Sequence, residues 1–253
     1  MKITIIGAGN MGGATALGLA RYGKGISLTV TAAHERTLEK YKASGMEASL
    51  DNRSAAEGAD LVILGVKPWI AGAILEEIRP ALAGKVLCSM AAGIPDGDLL
   101  AMVEGSGVKA VYTVIPNLAI EVGESMTYVH RIRGDAETDA LVMDLFDTVG
   151  KTRLADGKQL HAGMILASCG TAFAMRYFRA ATEGGVQLGL YPKDALEAVL
   201  QTVKGAADLL EARGTHPEQE VDRVTTPGGI TIRGLNAMEE AGFTNAVIRG
   251  LSL

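Results

Sequence analysis

A strand-length apolar run at the start of the chain ends in a glycine-rich turn that leads directly into a helix-like segment. Within KITIIGAGNMGGA, residues Gly7, Gly9 and Gly12 have the spacing G-x-G-x-x-G. Between a strand and a helix, such glycines allow a tight turn, close approach of the backbone to a pyrophosphate, and tight packing of helix on strand. The helix N-terminus adds free N–H groups and partial positive charge. The pattern predicts a dinucleotide-binding domain; the alternative is a glycine-rich turn that binds no ligand.

Strand-like and helix-like segments alternate through the first part of the chain. Further apolar runs of strand length are SLTVTA, ADLVILGV, KVLCSMAAG, VKAVYTVIP and ESMTYVH. Alternation of this kind is typical of a parallel sheet with right-handed crossover connections. We therefore predict an α/β fold in which residues 1–155 form an NADP-binding Rossmann domain with a doubly wound, mostly parallel sheet.

The sequence changes character near residue 155, where β-branched runs become rare. The segment KQLHAGMILASCGTAFAMRYFRAATEGGVQLGL is long and too apolar for a surface helix. The next helix has Pro192 near its start and Gly214 as its stop, and Thr215 and Glu218 have capping-box spacing for the helix that follows. We predict that residues 156–253 form an all-helical domain whose apolar helices are buried by self-association.

Composition and charge exclude several classes of protein. The 253 residues carry a net charge of −5, and nothing indicates a basic face, so we expect no nucleic-acid partner. No apolar run reaches about 18 residues and no cleavage-like site follows the N-terminal run, so we expect no membrane span and a cytoplasmic location. Cys88 and Cys169 are predicted to be buried free thiols. The histidines lack metal-ligand spacing, so we expect no metal site.

The end of the second predicted strand bears on the choice of coenzyme. NAD sites usually place an acidic residue there, on the ribose hydroxyl, whereas this strand ends in the uncharged stretch TVTAAH. Arg36, helped by His34 or Thr31, is placed to meet a 2′-phosphate, which favours NADPH over NADH as the coenzyme. Glu35 leaves an alternative in which its carboxylate meets the ribose; we expect it to face solvent as a first-turn helix residue.

Two further segments follow predicted strands at the carboxyl edge of the sheet, where open α/β sheets bind ligands. GVKPW begins at Gly65 and AAG spans residues 91–93. The second segment can reach a nicotinamide through backbone groups only. For the first, the alternative is a surface lysine at Lys67 followed by Pro68 as the first residue of a helix.

Near the C-terminus, the segment TTPGG at residues 225–229 precedes a helix-like stretch. A loop with two glycines before a helix exposes several backbone N–H groups, which suit an anion such as a carboxylate. Thr231 places a hydroxyl near the same point. The alternative is an ordinary turn between helices, and composition alone does not decide between the two.

Four stretches in this order resemble the pyrroline-5-carboxylate reductase family and span nearly the whole chain. They are IIGAGNMG at 5–12, GVKP at 65–68, EGGVQLGL at 183–190 and VTTPGGITIRGLNAMEEAGF at 224–243. The last stretch is the most specific. The resemblance implies reduction of 1-pyrroline-5-carboxylate to L-proline with a hydride from NADPH, the last step of proline biosynthesis. It also implies an interlocked helical dimer, and dimers in that family commonly assemble further into decamers.

The resemblance also implies which residues bind and react. Thr231 would be the catalytic residue, bonded to the ring nitrogen of the small-molecule substrate. The expected substrate-binding residues are Thr226, Gly228, Gly229, Ile230, Thr231 and, by a looser match, Asp156. With Gly12 and Arg36 added from the patterns above, the expected cofactor-binding residues are Ile6, Gly7, Ala8, Gly9, Asn10, Met11, Gly12, His34, Arg36, Asn52, Gly65, Val66, Lys67, Pro68, Ala91, Ala92 and Gly93.

The chain departs from the pattern of that family at several positions. It reads ASCGTAF at 167–173 where the family has a segment like SGSGPAY, IPN at 115–117 in place of MPN, and Arg223 in place of an asparagine. The first departure either widens the substrate pocket or repacks the dimer core. The preferred cyclic imine is therefore open.

Two other functions remain as alternatives. A related two-domain reductase would act on another cyclic imine or a 3-hydroxy acid; hydroxyacid enzymes of that plan use a lysine in the first long helix, where this chain has only Lys158 at the start. A non-catalytic NADP-binding sensor would need the glycine-rich turn, but not the TTPGG segment with Thr231.

Overall fold

The computed structural model of the protein describes residues 1–252, and its chain divides into two compact units. The first unit is Met1–Thr171 and the second comprises the residues from Ala172 onward. The first contains a sheet with helices around it, and the second is helical. The predicted class, an α/β domain followed by a helical domain, is confirmed. The predicted domain boundary at 155/156 stays a prediction.

The first unit is built on one sheet of eight strands. The strands are β1 (Lys2–Ile6), β2 (Ser27–Thr31), β3 (Glu47–Ser49), β4 (Leu61–Leu64), β5 (Val86–Ser89), β6 (Ala110–Ile115), β7 (Ser125–Arg133) and β8 (Gly150–Leu154). Their order in the sheet is β3-β2-β1-β4-β5-β6-β7-β8, and every neighbouring pair is parallel except the antiparallel pair β6 and β7. All six predicted strands are present, and the sheet is mostly parallel as predicted.

Seven helices follow or connect the strands of this unit. They are α1 (Asn10–Tyr22), α2 (Glu35–Ala43), α3 (Asn52–Glu57), α4 (Pro68–Ile78), α5 (Asp96–Met102), α6 (Ala136–Asp147) and α7 (Gly157–Gly163). Short 3-10 turns lie at Arg79–Ala81 and Leu118–Val122. Directly after α7, the residues Met164–Cys169 form a π-helical segment. The first long helix, predicted to start near Lys158, is therefore interrupted, and the π-helical segment overlaps the stretch 167–173 that departs from the family pattern at residues 167–169.

Hydrophobic side chains fill both faces of the sheet, because successive strand residues point to opposite sides. On β1, Ile5 packs in one cluster with Leu19 of α1 and Phe146 of α6. Its neighbour Ile6 belongs to the opposite cluster, with Leu75 of α4. These side chains are almost fully buried, and each contributes about 1.5–3 kcal/mol. The two-sided core holds the carboxyl ends of β1, β2, β4 and β5 along one edge.

The second unit consists of helices that bury very little on their own. They are α8 (Gly170–Gln187), which begins in the first unit, α9 (Pro192–Arg213), α10 (Pro217–Val224), α11 (Ile230–Glu240) and α12 (Phe243–Leu251). Within residues 172–252, Ala195 is the only buried hydrophobic residue. Leu188 and Tyr191 are 87% and 79% exposed. Helices without a shared core need a partner surface, which agrees with the predicted self-association.

Two local predictions, one in each unit, need correction. The helix after Gly214 is capped by His216 with Gln219, one residue later than the predicted pair, because the Thr215 hydroxyl donates to Glu220 instead. Cys88 is buried as predicted, whereas Cys169 is exposed. No helix within residues 1–252 is long and apolar enough to cross a membrane.

Candidate cofactor and substrate sites

The glycine-rich turn joins the ends of two neighbouring strands. Gly7 has a φ of 96°, a left-handed conformation that favours glycine. The N–H groups of Gly7 and Ala8 both donate to the carbonyl of Thr31, at 3.1 and 2.9 Å. The turn after β1 is therefore bonded to the end of β2, and α1 starts directly above the edge of the sheet.

Gly12 and Gly65 let the helix approach the strands closely. A Cβ atom on Gly12 would lie well inside 3.0 Å of the Gly7 carbonyl oxygen, and one on Gly65 would lie 3.0 Å from the Gly12 Cα atom. Gly9 is different, since a Cβ atom there would meet nothing within 4 Å. Packing within the protein therefore explains Gly12 but not Gly9, whose bare backbone borders open space.

Gly9 is also the N-cap of α1 and provides no side-chain cap. The first N–H groups of a helix have no intrahelical acceptor, so they are available to an anion. The tight turn at Gly7, the close packing at Gly12 and the open, uncapped helix start at Gly9 match the three requirements of a dinucleotide pyrophosphate site. The residues present fit this group.

Beyond the end of β2, three side chains form a short chain of hydrogen bonds. The Thr31 hydroxyl donates to the Asn52 amide oxygen at 2.6 Å, and the Asn52 amide nitrogen donates to a Glu77 carboxylate oxygen at 3.1 Å. These bonds orient the Asn52 amide and leave its second N–H for a ligand. Thr31 is fully buried, so it supports Asn52 and does not itself reach the surface.

Of the charged residues at the start of α2, Arg36 is the one that has no protein partner. Glu35 forms an ion pair with Lys42 of the same helix and is exposed, in agreement with its predicted orientation to solvent. His34 is exposed and serves as the N-cap of α2 without a side-chain cap bond. Arg36 is exposed and makes no hydrogen bond or ion pair with any residue from 1 to 252. It is therefore available to an anionic ligand.

The segment after β4 begins a helix, as one of the two interpretations expected. Lys67 is the N-cap of α4 and Pro68 is its first residue. The Lys67 ammonium lies 6.0 Å from the centre of the Trp69 ring, and Trp69 is 79% exposed. The lysine thus stands at the carboxyl edge of the sheet, adjacent to the glycine turn through Gly65.

The turn at residues 91–93 follows β5 at the same edge. The Ala91 N–H donates to the Ser89 hydroxyl at 3.3 Å, and Gly93 has a φ of 82°. The loops after β1, β2, β4 and β5 therefore share one edge of the sheet. The predicted cofactor residues are all placed along this edge by the fold.

Asn117, which follows β6, makes contacts that were not predicted. Its amide nitrogen donates to the Ala167 carbonyl at 3.3 Å, and its amide oxygen accepts from the Ala119 N–H at 3.0 Å. Ala167 lies in the π-helical segment, where the wider turn changes the usual pairing of carbonyl groups. The bond connects the end of β6 to the stretch that departs from the family pattern. Asn117 stands out in the sequence within IPN, but the sequence alone does not predict Ala167 as its partner, because the two residues are 50 positions apart in the chain.

His130 of β7 is a residue that the sequence did not indicate as part of a site. Its Nε2 atom lies 2.9 Å from a carboxylate oxygen of Asp96, and its Nδ1 atom lies 3.0 Å from the carbonyl oxygen of Ala155. Burial opposes the charge on the ring, but the hydrogen bonds to Asp96 and Ala155 and the nearby Asp156 carboxylate outweigh it. The pKa of His130 is therefore held above its usual value.

Asp156 has a structural role at the start of α7. Its carboxylate accepts the Gln159 N–H at 2.8 Å, and the Gln159 side chain accepts the Asp156 N–H at 3.1 Å, which completes a capping box. Of the predicted substrate residues, Asp156 lies in the first unit and the others lie in the second.

The TTPGG segment forms a compact turn before α11. Gly228 has a φ of 68°, and the Gly229 N–H donates to the Thr226 carbonyl at 2.9 Å. A Cβ atom on Gly229 would lie 2.5 Å from the Thr226 hydroxyl and 3.0 Å from the Thr226 carbonyl oxygen, so the Thr226 side chain would have to move. Gly229 caps α11 without a side chain, which leaves the first helical N–H groups, at Ile230 and Thr231, without acceptors in the helix.

Thr231 is exposed in the first turn of α11, and its hydroxyl has no hydrogen-bond partner within the described residues 1–252. Arg223, the residue that departs from the family pattern nearby, is engaged with Glu220 at 2.6 Å. The Thr215 hydroxyl, followed by Arg213 and Arg223, lowers the pKa of that carboxyl. Arg223 is thus part of an ion-pair cluster, while the turn offers free backbone N–H groups and one free hydroxyl.

Comparison with known proteins agrees with this arrangement. A family model described as pyrroline-5-carboxylate reductase dimerisation matches residues 157–252, and one described as NADP oxidoreductase, coenzyme F420-dependent, matches residues 2–93. Pyrroline-5-carboxylate reductase 2 of Dictyostelium discoideum is 33% identical over 270 residues, covering 99% of this chain and 89% of the relative.

Two solved structures extend the comparison to the fold. The pyrroline carboxylate reductase of Plasmodium falciparum, solved with NADP bound, has a TM-score of 0.90 and 27% identity over 100% of this chain and 94% of its own. The 1-pyrroline-5-carboxylate reductase of Streptococcus pyogenes has a TM-score of 0.86 and 30% identity, over 100% and 95%. With full-length similarity on both measures, and with the glycine turn and the TTPGG turn formed as described, the chain belongs to the pyrroline-5-carboxylate reductase family.

Proposed function

We propose that this protein reduces 1-pyrroline-5-carboxylate to L-proline with a hydride from NADPH, as the last step of proline biosynthesis. The observation that carries the proposal is the TTPGG turn with its free Thr231 hydroxyl, in a chain similar to this family over nearly its full length. A non-catalytic sensor would have no need for this turn.

The substrate is a cyclic imine with a carboxylate, and the turn before α11 offers groups for both. Free N–H groups at the start of a helix, with the positive end of its dipole, suit the carboxylate. The Thr231 hydroxyl donates to the ring nitrogen and fixes the orientation of the ring. A threonine hydroxyl is a weak acid, so orientation is its main contribution.

The first unit would hold the cofactor along the carboxyl edge of the sheet. The start of α1 at Gly9 binds the pyrophosphate, Asn52 binds the adenosine side, and Ala91–Gly93 meets the nicotinamide through backbone groups. When bound, the nicotinamide supplies the hydride for the imine carbon. No covalent nucleophile is required, so catalysis consists mainly of positioning the substrate.

The preference for NADPH rests on charge at the end of β2. Arg36 is free to pair with a 2′-phosphate, and His34 is exposed beside it. The neighbouring carboxylates have other partners, since Glu35 pairs with Lys42 and Glu77 accepts from Asn52. The resulting site attracts a phosphate more than a ribose hydroxyl.

The predicted residues 156–253 would form the dimerisation and substrate-binding domain. Within residues 172–252, every apolar side chain except that of Ala195 remains exposed or half-buried in one chain, which supports a large interface between copies. We extend the proposal to decameric assembly, to be checked by sedimentation of the purified protein, and to a cytoplasmic location.

Turnover tests the proposal directly. Purified protein is mixed with NADPH and pyrroline-5-carboxylate, and the loss of NADPH absorbance is followed, with the six-membered piperideine analogue and NADH as controls. Rapid oxidation of NADPH with the five-membered ring is expected. Faster turnover of the six-membered ring would favour a related imine reductase, and NADPH binding without turnover of either ring would favour the sensor.

A further inference from the structure

Both ring nitrogens of His130 face oxygen atoms that can only accept hydrogen bonds. One partner is the Ala155 carbonyl, at 3.0 Å from Nδ1, and the other is the Asp96 carboxylate, at 2.9 Å from Nε2. A neutral imidazole carries one N–H and cannot serve both partners, whereas an imidazolium carries two. The observed geometry therefore corresponds to the charged ring, of which only 14% is exposed.

The partners of His130 lie on segments that belong to the candidate site. Asp96 is the first residue of α5 and lies three residues after the end of the turn Ala91–Gly93 that is assigned to the nicotinamide. Ala155 immediately precedes Asp156, the cap of α7. Three separate segments, β7, the 91–96 loop and the start of α7, are thus joined through one ring.

The charged groups that face the ring are both acidic. Asp96 reaches it from α5 and Asp156 lies nearby at the start of α7. On the neighbouring strand β6, the residue paired with His130 is the uncharged Thr113. The two carboxylates therefore stabilise the charged ring at low pH, and the ring loses its proton as the pH rises.

We propose that His130 is a positioning residue for the cofactor, whose imidazolium fastens the 91–96 loop to β7 and whose deprotonation frees that loop. The proposal rests on the assignment of Ala91–Gly93 to the nicotinamide. His130 itself touches neither cofactor nor substrate, and it acts through Asp96.

The bond that is lost on deprotonation follows from burial. Ala155 is 7% exposed, so water cannot easily replace the N–H that its carbonyl accepts. The Asp96 side chain is 54% exposed and can be hydrated. The neutral ring therefore keeps its Nδ1 proton on Ala155 and turns a lone pair towards the Asp96 carboxylate, which is repelled. The loop is then no longer tethered at Asp96.

The sign of the pH effect follows from the direction of the pKa shift. Because the pKa of His130 is raised, the tether is complete below the usual histidine value and is lost as the pH rises through the raised value. We expect the dissociation constant of NADPH to increase about threefold over this range, the size expected for one partly exposed charged hydrogen bond. The kcat at saturating NADPH should change much less.

Two substitutions separate the two bonds of the ring. His130→Asn places an amide N–H near the position of Nδ1 and keeps the Ala155 bond, so weak NADPH binding is expected at every pH. His130→Gln places an amide N–H near Nε2 and keeps the Asp96 bond, so tight binding without the pH dependence is expected. His161→Gln, at an exposed histidine of α7, is the matched control and should retain the wild-type profile.

Binding is measured without turnover, by the fluorescence of Trp69, the only tryptophan, upon addition of NADPH from about pH 6 to about pH 9. Since the 2′-phosphate of NADPH also titrates, the informative quantity is the difference between the wild type and each variant. Wild-type and His130→Asn profiles of equal slope would overturn the inference while leaving the cofactor site intact. Failure of NADPH to bind to the wild type would instead overturn the cofactor assignment, and this inference with it. Should His130→Asn not fold, Asp96→Ala, which removes the partner of Nε2, gives the untethered loop for comparison with His130→Gln.

Discussion

Replacing single glycines with alanine separates the packing role of the glycine turn from its binding role. At Gly12 the new methyl group would fall far inside 3.0 Å of the Gly7 carbonyl oxygen, and this contact is between two backbone segments. At Gly9 the methyl group would meet no protein atom within 4 Å. Gly12→Ala should therefore damage the fold, and Gly9→Ala should damage only the binding of a ligand.

The expected changes in stability follow from two contributions of opposite sign. Alanine in place of glycine inside a helix gains up to about 1 kcal/mol, while overpacking that must move backbone costs about 1–3 kcal/mol. A backbone-to-backbone contact belongs at the upper end, so Gly12→Ala should lose about 1–2 kcal/mol, or about 3–6 °C in Tm. Gly9→Ala should change stability by less than about 1 kcal/mol and weaken NADPH binding about tenfold or more.

Two matched variants complete the design. A Cβ on Gly18 of α1 would fall equally close to the Ile120 carbonyl oxygen, away from the glycine turn, so Gly18→Ala should lower Tm without changing NADPH affinity. A Cβ on Gly72 of α4 would make only ordinary contact with Met102 at 3.8 Å, so Gly72→Ala should change neither.

Thermal melts and NADPH titrations of all four variants provide the assay. If Gly9→Ala lowers Tm as much as Gly12→Ala does, a methyl group at Gly9 must contact other protein atoms, and the distinction between the two glycines fails. If Gly9→Ala binds NADPH as tightly as the wild type, the pyrophosphate does not approach that backbone, and the assignment of the start of α1 fails.

Further variants test the other parts of the site. Thr231→Ala should lower kcat/KM about tenfold or more, since one hydrogen bond near the reacting atom is lost. Thr231→Ser should recover most of this activity, and Thr244→Ala on α12 is the control. An unchanged kcat/KM in Thr231→Ala would remove Thr231 from the mechanism. Arg36→Ala should raise KM for NADPH about tenfold and leave KM for NADH nearly unchanged. Arg21→Ala, at the far end of α1, is the control. Equal changes in KM for both coenzymes would show that Arg36 does not contact the 2′-phosphate.

The strands β1, β4, β5 and β6 could be predicted from the sequence because each is a largely apolar run buried on both faces. β3 and β8 were missed for the opposite reason. β3 has three residues and β8 reads GKTRL, and both lie at the edges of the sheet, where polar side chains meet solvent. An edge strand forms because a neighbouring strand offers hydrogen bonds, and local composition does not record that neighbour.

Predictions of caps and helix continuity failed for a similar reason. Thr215 and Glu218 have the right spacing for a capping box, but Glu220 is close enough to take the Thr215 hydroxyl, and the box moves to His216. The π-helical segment Met164–Cys169 likewise has no clear signal in a continuous apolar stretch. In both cases several local arrangements have similar energies, and contacts between neighbouring side chains select one of them.

The sequence alone determined the class of fold, the glycine turn and the family, because these depend on short-range spacing: a strand, a turn and a helix within a dozen or so residues, and the TTPGG turn before α11. Tertiary structure decided which groups act on which. Only the folded sheet places His130 beside Asp96, which is 34 residues earlier in the chain, and Asn52 beside Glu77, which is 25 residues later. Only the packing of α1 on the strands distinguishes Gly12, which the protein itself requires, from Gly9, which it leaves open. A hydrogen bond or a close contact depends on distance in space, and between remote residues that distance is set by the whole core.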